Sequence, residues 1–315
     1  MRVAILDDYQ NAALELADWS GLDTTVFTDH LDDESALAKR LAPFEAICLM
    51  RERTPFARSL IEKLPKLKLL VTAGMYNASI DLQAAHEHGV FVSGTGAPAA
   101  QGTAELTLAM ILALARGLVG EAQSLRNGGW QRRLGRNISG ETLGLVGLGK
   151  LGGEVARLAM ACNMKVIAWS QNLTDERAAE VGVRRVGRDE LFAESDFISV
   201  HLVLSERSRG LIGAPDFARM KPDAYFINTS RGPIVDSAAL LDALRNNRIG
   251  GAGIDVYDAE PLPADNPWRG LANVLATPHI GFVTRQTYEI WYPQMAEDVR
   301  AFIAGAPTRP IAPRT

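Results

Sequence analysis

The chain has 315 residues, enough for two domains with separate cores. Its 47% hydrophobic and 22% charged content is that of a globular protein. A formal net charge of -4 leaves no basic excess to neutralise phosphates, which argues against nucleic acid as a partner. Cys48 and Cys162 both lie in apolar surroundings, so they read as buried thiols in a reducing, cytoplasmic setting, and no metal-ligand cluster stands out.

Residues 1–8 read as a strand ending in acids rather than as a signal peptide. Short aliphatic runs at 3–6, 25–27, 46–50, 69–72 and 90–92 then alternate with helical patterns such as 35–41 and 57–64, as in parallel α/β structure. His30, His86 and His88 fall in polar stretches and read as surface residues. A Gly-Thr-Gly-Ala-Pro loop at 94–98 precedes a long apolar helix from about 103 to 116. The apolar run within it, 106–115, falls short of the roughly 20 residues that cross a bilayer, so no membrane is expected. Residues 126–137 read as an exposed polar arm carrying Trp130.

The most informative stretch follows. A strand-like run at 142–146 feeds into Gly147-x-Gly149-x-x-Gly152, and Val155, Leu158, Ala159 and Cys162 then repeat at helical spacing. Gly147 suits a tight turn, Gly149 close approach to a pyrophosphate, and Gly152 helix-on-strand packing. The amides of Lys150 and Leu151 at the new helix start would hold the phosphates. Glycine-rich turns are common, but strand before and helix after favour a dinucleotide site. Further strands are expected at 165–169, 197–201, 225–228, 252–256 and 274–277, then a helix over 288–303 and a proline-bearing tail. A dinucleotide fold in mid-chain interrupts another domain or follows one. Interruption is favoured: residues 1–98 and 284–315 form a flavodoxin-like substrate domain, and 99–283 an inserted Rossmann domain, both doubly wound parallel sheets.

Ligands bind at the carboxyl ends of such strands. Three of those ends supply Arg231, Glu260 and His279. The arginine forks onto a carboxylate or carbonyl. An imidazole titrates near working pH and exchanges a proton with a carbonyl or hydroxyl oxygen, and an acidic neighbour orients it. The set suits hydride transfer between a nicotinamide and a 2-oxo or 2-hydroxy acid. Each residue alone is better read as structural, but three complementary roles at one edge favour catalysis. His201 ends a strand beside the same crevice and is given a supporting role. Asp255, in an apolar run, needs a hydrogen-bond partner, either the nicotinamide amide or a backbone turn.

The motifs Gly147–Gly152, Met220-Lys221-Pro222, Asn228–Gly232, Gly251–Val256 with Glu260-Pro261-Leu262-Pro263, and Thr277–Gly281 occur in order over nearly the whole chain. Together they resemble the D-isomer-specific 2-hydroxyacid dehydrogenases, which include phosphoglycerate dehydrogenases and glyoxylate or hydroxypyruvate reductases. The resemblance implies catalytic Arg231, Glu260 and His279, hinges near Pro98 and Phe282, and a homodimer with Trp130 on its arm. It adds Thr103, Ser170, Thr229, Ser230 and Gly281 to the cofactor contacts and sets Gly74, Met75, Tyr76 and Asn77 against the substrate carboxylate. Tyr76 departs from the smaller residues usual in that loop. Arg51 and Arg53 are a second anionic contact or surface charges, the latter favoured for at least one. Trp291 and Tyr292 wall the pocket or merely pack. Where an acid usually meets the adenosine ribose, this chain has Trp169-Ser170-Gln171-Asn172, which points weakly to NAD with NADP tolerated. Glu260 speaks against formate oxidation, where a glutamine is expected. Transcriptional corepressors also resemble this family, so a nucleotide-sensing scaffold is the competing reading, disfavoured by the short chain. The lack of a following regulatory domain disfavours a feedback-controlled phosphoglycerate dehydrogenase.

Overall fold

The computed structural model describes residues 1–96 and 101–313. They fall into two compact units, one drawn from Met1–Ala99 and Thr284–Thr315, the other from Ala100–Val283.

The first unit holds a parallel sheet of β1 (Arg2–Ile5), β2 (Asp23–Val26), β3 (Ala46–Leu49), β4 (Leu69–Thr72) and β5 (Phe91–Gly94), in the order β2-β1-β3-β4-β5. β3 and β4 are buried along their whole length, as expected of strands covered on both faces. Ile47, Leu49, Phe56, Leu60 and Leu70 centre the core. Asp33 and Asp81 cap the helices Glu34–Leu41 and Leu82–Glu87 by accepting the amides of Ala36 and Ala84. The helix expected over 57–64 is a single α-turn, Arg58–Ile61. It continues through the i→i+3 bonds of Lys63 and Leu64, because Pro65 disfavours helical backbone before it. Beyond helix Arg285–Ile303, the chain bonds the β5 edge through the Ser93–Pro310 bridge and the amide of Ile311 on Val92.

The second unit is a seven-stranded parallel sheet of β6 (Thr142–Val146), β7 (Lys165–Trp169), β8 (Arg184–Arg185), β9 (Phe197–Val200), β10 (Tyr225–Asn228), β11 (Gly251–Ile254) and β12 (Val274–Ala276). Its order is β12-β11-β10-β9-β6-β7-β8, the doubly wound pattern whose strand order reverses between β6 and β9. One face packs Phe192, Ile198, Phe226 and Leu240. The other packs Leu145, Val155 and Ile227 together with Met110 and Ile111 of helix Gln101–Arg116. Every expected strand is present within two residues of its expected ends. β8 was not expected: two exposed arginines pairing with Ile167 and Ala168 carry no apolar signal.

Among the described residues no single helix is long and apolar enough to cross a membrane. Helices Gln101–Arg116 and Leu118–Arg126 reach that length only together, across a 63° bend. Cys48 is buried, whereas Cys162, expected to be buried too, is partly exposed at a helix end.

Candidate active site

The glycine turn lies between β6 and helix Lys150–Ala161. Gly147 has φ +105°, and a Cβ there would lie 2.6 Å from the carbonyl oxygen of His201. A Cβ on Gly152 would lie 2.3 Å from the carbonyl oxygen of Gly147. Both glycines are therefore demanded by the chain's own packing. Gly149 differs: among the described residues no atom lies within 4 Å of its notional Cβ, so its bareness serves no packing there. Gly149 also caps a 12-residue helix and offers no side-chain acceptor to the first amides. A turn with this shape fits a pyrophosphate on the helix start.

The reacting edge is assembled one strand end at a time. After β10, Asn228 folds the chain over by accepting the Ser230 amide at 3.0 Å and donating to the Arg231 carbonyl at 3.0 Å. Arg231 follows, its guanidinium anchored on the Ser230 carbonyl at 2.7 Å. Gly232 lets this turn sit on the segment after β11, since a Cβ there would lie 2.2 Å from the carbonyl carbon of Tyr257. From that segment the Tyr257 amide donates to Glu260 Oε1 at 2.8 Å. Glu260 Oε2 in turn meets His279 Nδ1 at 2.5 Å.

Burial would raise the Glu260 carboxyl, but the His279 hydrogen bond and charge, the Tyr257 amide and the Arg231 charge outweigh it. Together they hold the carboxyl below the usual carboxylate range. His279 has a left-handed backbone, φ 52°, rare for a residue with a side chain. Asp255 holds it there from beneath: its oxygens accept Thr277 Oγ1 at 2.6 Å and the Ile280 and Gly281 amides at 2.9 Å each. Burial pushes the Asp255 carboxyl upward against those three donors. Asp255 thus braces the loop on both sides of His279, the backbone alternative of the two considered. Thr103 lies against Gly281, where a Cβ would meet its side chain at 3.1 Å.

Comparisons with known proteins agree with this architecture. Residues 108–281 match the family model described as the D-isomer specific 2-hydroxyacid dehydrogenase, NAD binding domain. The chain belongs to that family. It is 34% identical to the D-3-phosphoglycerate dehydrogenase of Archaeoglobus fulgidus over 98% of this chain and 58% of that one. It is 36% identical to the glyoxylate reductase of Thermococcus litoralis over 79% of this chain and 77% of that one. The crystal structure of a phosphoglycerate oxidoreductase from Vibrio cholerae superposes with a TM-score of 0.92 at 39% identity, covering 97% of this chain and 100% of that one. The chain spans only 58% and 50% of the length of two phosphoglycerate dehydrogenases that it matches.

NAD is the cofactor of this family's domain, and the glycine turn fits it. The other expected cofactor residues divide into two sets. His201 directly follows β9, is buried, and has both ring nitrogens without a hydrogen-bond partner among the described residues. Burial lowers its pKa to about 3, so the ring is neutral. Thr229 and Ser230 instead spend their hydroxyls within the protein, on Thr107 Oγ1 and the Leu202 carbonyl. At the end of β7, Ser170 is half-buried, and the Trp169 ring lies under Arg188 at 5.4 Å, itself paired with buried Asp216.

In the first unit, Gly74 has φ +85° and donates its amide to Thr95 Oγ1. Asn77 turns its amide inward to the Arg51 carbonyl and Thr72 Oγ1, while Met75 and Tyr76 are exposed. Neither Arg51 nor Arg53 is a solvated surface charge. Arg51 donates to the Ala73 carbonyl, and Arg53 to the Asp7 carbonyl at 2.7 Å. Trp291 and Tyr292 are buried, bonded to the Gly96 carbonyl and Asp8, which is the packing alternative. His30 corrects the surface expectation. Its side chain is 9% exposed and meets Asp7 at 2.8 Å, a pairing across 23 residues that local polarity could not reveal. His86 and His88 are exposed as expected. Pro98, the expected hinge, lies outside the described residues.

Proposed function

We propose that the chain is an NAD(P)-dependent oxidoreductase interconverting a small 2-oxo acid and its D-2-hydroxy acid. The observation that carries the reading is the 2.5 Å contact between His279 Nδ1 and Glu260 Oε2, with the Arg231 charge acting on the same carboxylate. Because Glu260 takes Nδ1, His279 Nε2 is the nitrogen left to exchange a proton with the substrate oxygen. The ionised Glu260 orients the ring, while Asp255 fixes the loop beneath it. Arg231 offers a planar fork to the substrate carboxylate or carbonyl. The 74–77 loop receives the carboxylate through its backbone. A nicotinamide held through the glycine turn supplies or accepts the hydride. His201, Thr103 and Gly281 line that cofactor's site, and His201, being neutral, offers it a hydrogen bond without adding charge.

Ser170, Gln171 and Asn172 put no carboxylate where a ribose 2'-phosphate would be repelled, so NAD is used with limited discrimination against NADP. The protein is read as a cytoplasmic homodimer formed through its cofactor units. Leu118, Val119, Leu125, Trp130 and Leu134 are all more than half exposed there, a concentration that marks an interaction face.

The test is a panel of 2-oxo acids assayed with NADH and NADPH, monitoring loss of reduced-nicotinamide absorbance. Arg231→Ala, Glu260→Gln and His279→Ala should each lower kcat/KM by about 100-fold or more while circular dichroism stays native. Near wild-type turnover in all three defeats the assignment. Cofactor-dependent capture of a protein partner without turnover supports the scaffold reading instead.

A further inference from the structure

Tyr257 stands where the three segments of the reacting edge meet. Its carbonyl carbon faces Gly232, beside Arg231, so closely that a Cβ there would lie 2.2 Å away. Its amide donates to Glu260 Oε1 at 2.8 Å. Its phenol crosses to the segment after β12 and donates to the Thr277 carbonyl at 2.9 Å, with the Ile254 carbonyl 3.2 Å away. The amide of His279 bonds that same Thr277 carbonyl at 3.1 Å. One residue therefore ties the turn that carries Glu260 to the turn that carries His279, across 20 residues of sequence.

Other restraints act on one side of the pair each. Asp255 bonds Thr277 Oγ1 and the Ile280 and Gly281 amides, all within the His279 loop. Arg269 closes the far side of the Glu260 turn by donating to the Leu262 and Pro263 carbonyls at 2.6 and 2.8 Å. Neither spans from one turn to the other. Tyr257 does, and from a fixed seat: it is 7% exposed and packs in the core with Ile234, Ile254 and Trp268. Burial, with the charges of Asp255 and Glu260, pushes the phenol pKa upward, so the hydroxyl remains a donor throughout the working pH range. A packed ring with so few rotamers sets the reach of its hydroxyl closely. The 2.5 Å contact between His279 Nδ1 and Glu260 Oε2 leaves little slack for error in that reach.

We infer that the Tyr257 hydroxyl is a positioning group for the reaction, setting the separation of Glu260 and His279 and thereby the aim of His279 Nε2 at the substrate oxygen. This rests on the oxidoreductase reading above and deepens it with a residue that acts through the pair and transfers no proton itself. Both acceptor carbonyls keep a donor without the phenol, since Ile254 also accepts the Thr277 amide at 2.9 Å and Thr277 the His279 amide. Tyr257→Phe therefore removes one bond from a packed ring without stranding a buried acceptor, and the fold survives it.

The test is Tyr257→Phe with NADH and the 2-oxo acid that the wild type uses best. The melting temperature should stay within about 4 °C of wild type. KM for the acid and the NAD dissociation constant should stay within about twofold, while kcat falls at least about tenfold because the proton donor is misaimed. In a Glu260→Gln background, where the pair is already impaired, the same substitution should lower kcat by less than about threefold further. An unchanged kcat in the single variant, or the full tenfold loss repeated in the double variant, overturns the inference.

A readout independent of turnover separates this failure from that of the oxidoreductase reading. In protein labelled with 15N-histidine, the Nδ1 proton shared with Glu260, assigned by its loss in His279→Ala, should give a sharp downfield signal in the wild type. Tyr257→Phe should move that signal upfield or broaden it by exchange with water. Such a change without turnover of any acid by the wild type sustains the Tyr257 restraint and sinks the reaction. Turnover by the wild type, with signal and kcat unaltered in the variant, does the reverse. Absence of both turnover and spectral change refutes the two together.

Discussion

Gly149 offers the sharpest separation of packing from function. Its notional Cβ meets nothing within 4 Å among the described residues, and its φ of -78° and ψ of -157° are extended backbone. Alanine there should gain about 0.4–1 kcal/mol through a stiffer unfolded chain. As a helix N-cap, alanine is poorer than glycine by about 0.5–1 kcal/mol. The terms offset, and the melting temperature of the free protein should stay within about 2 °C of wild type. The added methyl nonetheless occupies the space in which a pyrophosphate would approach the Lys150 and Leu151 amides. Loss of one or two charge-assisted contacts of about 1.5–3 kcal/mol each should weaken NAD binding by at least about tenfold.

Gly152→Ala is the contrast. Its Cβ would lie 2.3 Å from a backbone oxygen, about 1 Å inside ordinary contact, so overpacking of about 1–3 kcal/mol should lower the melting temperature by several degrees. Differential scanning fluorimetry without ligand and calorimetric NAD titration read the two effects separately. A Gly149→Ala protein that binds NAD like the wild type would refute the argument, because the open space would then serve no ligand.

Gly232→Ala should act on the chemistry: a Cβ 2.2 Å from the Tyr257 carbonyl carbon forces the Arg231 turn away from the Glu260 segment by about 1 Å. That displacement should lower kcat/KM about 100-fold with little change in the NAD dissociation constant, and a drop below about threefold contradicts the packing account. His30 should confer a pH-dependent stability, because its hydrogen bond to Asp7, opposed by burial and aided by the charges of Asp7 and Asp32, raises its pKa above the ordinary 6.5. The contribution is complete below 6.5 and fades as pH rises through the raised value, so the deficit of His30→Gln in urea melts should shrink from pH 6 to pH 9. A deficit independent of pH argues against this pairing. Replacing Trp130 and Leu134, 73% and 96% exposed, with serine should shift the protein from dimer to monomer in light scattering, and an unchanged mass contradicts the proposed interface.

What was legible in the sequence followed short-range signals. Buried parallel strands announce themselves as apolar runs, and the glycine turn is a local demand for bare backbone, so β6 and its helix stood where expected. Arg231, Glu260 and His279 were visible as polar residues at strand ends, and the structure brings them to one edge of the second unit's sheet. The supports beneath them were less visible, because each spans a long sequence separation. Asp255 reaches 22 to 26 residues ahead to brace the His279 loop. His30 reaches back 23 to Asp7, and β8 exists only because β7 offers two residues to pair with. A buried acid in an apolar strand was the one such signal on view, since Asp255 had to find donors somewhere. The same logic applies at the other sheet: the left-handed backbone of Asp7 and Arg51 cannot be read from residue names.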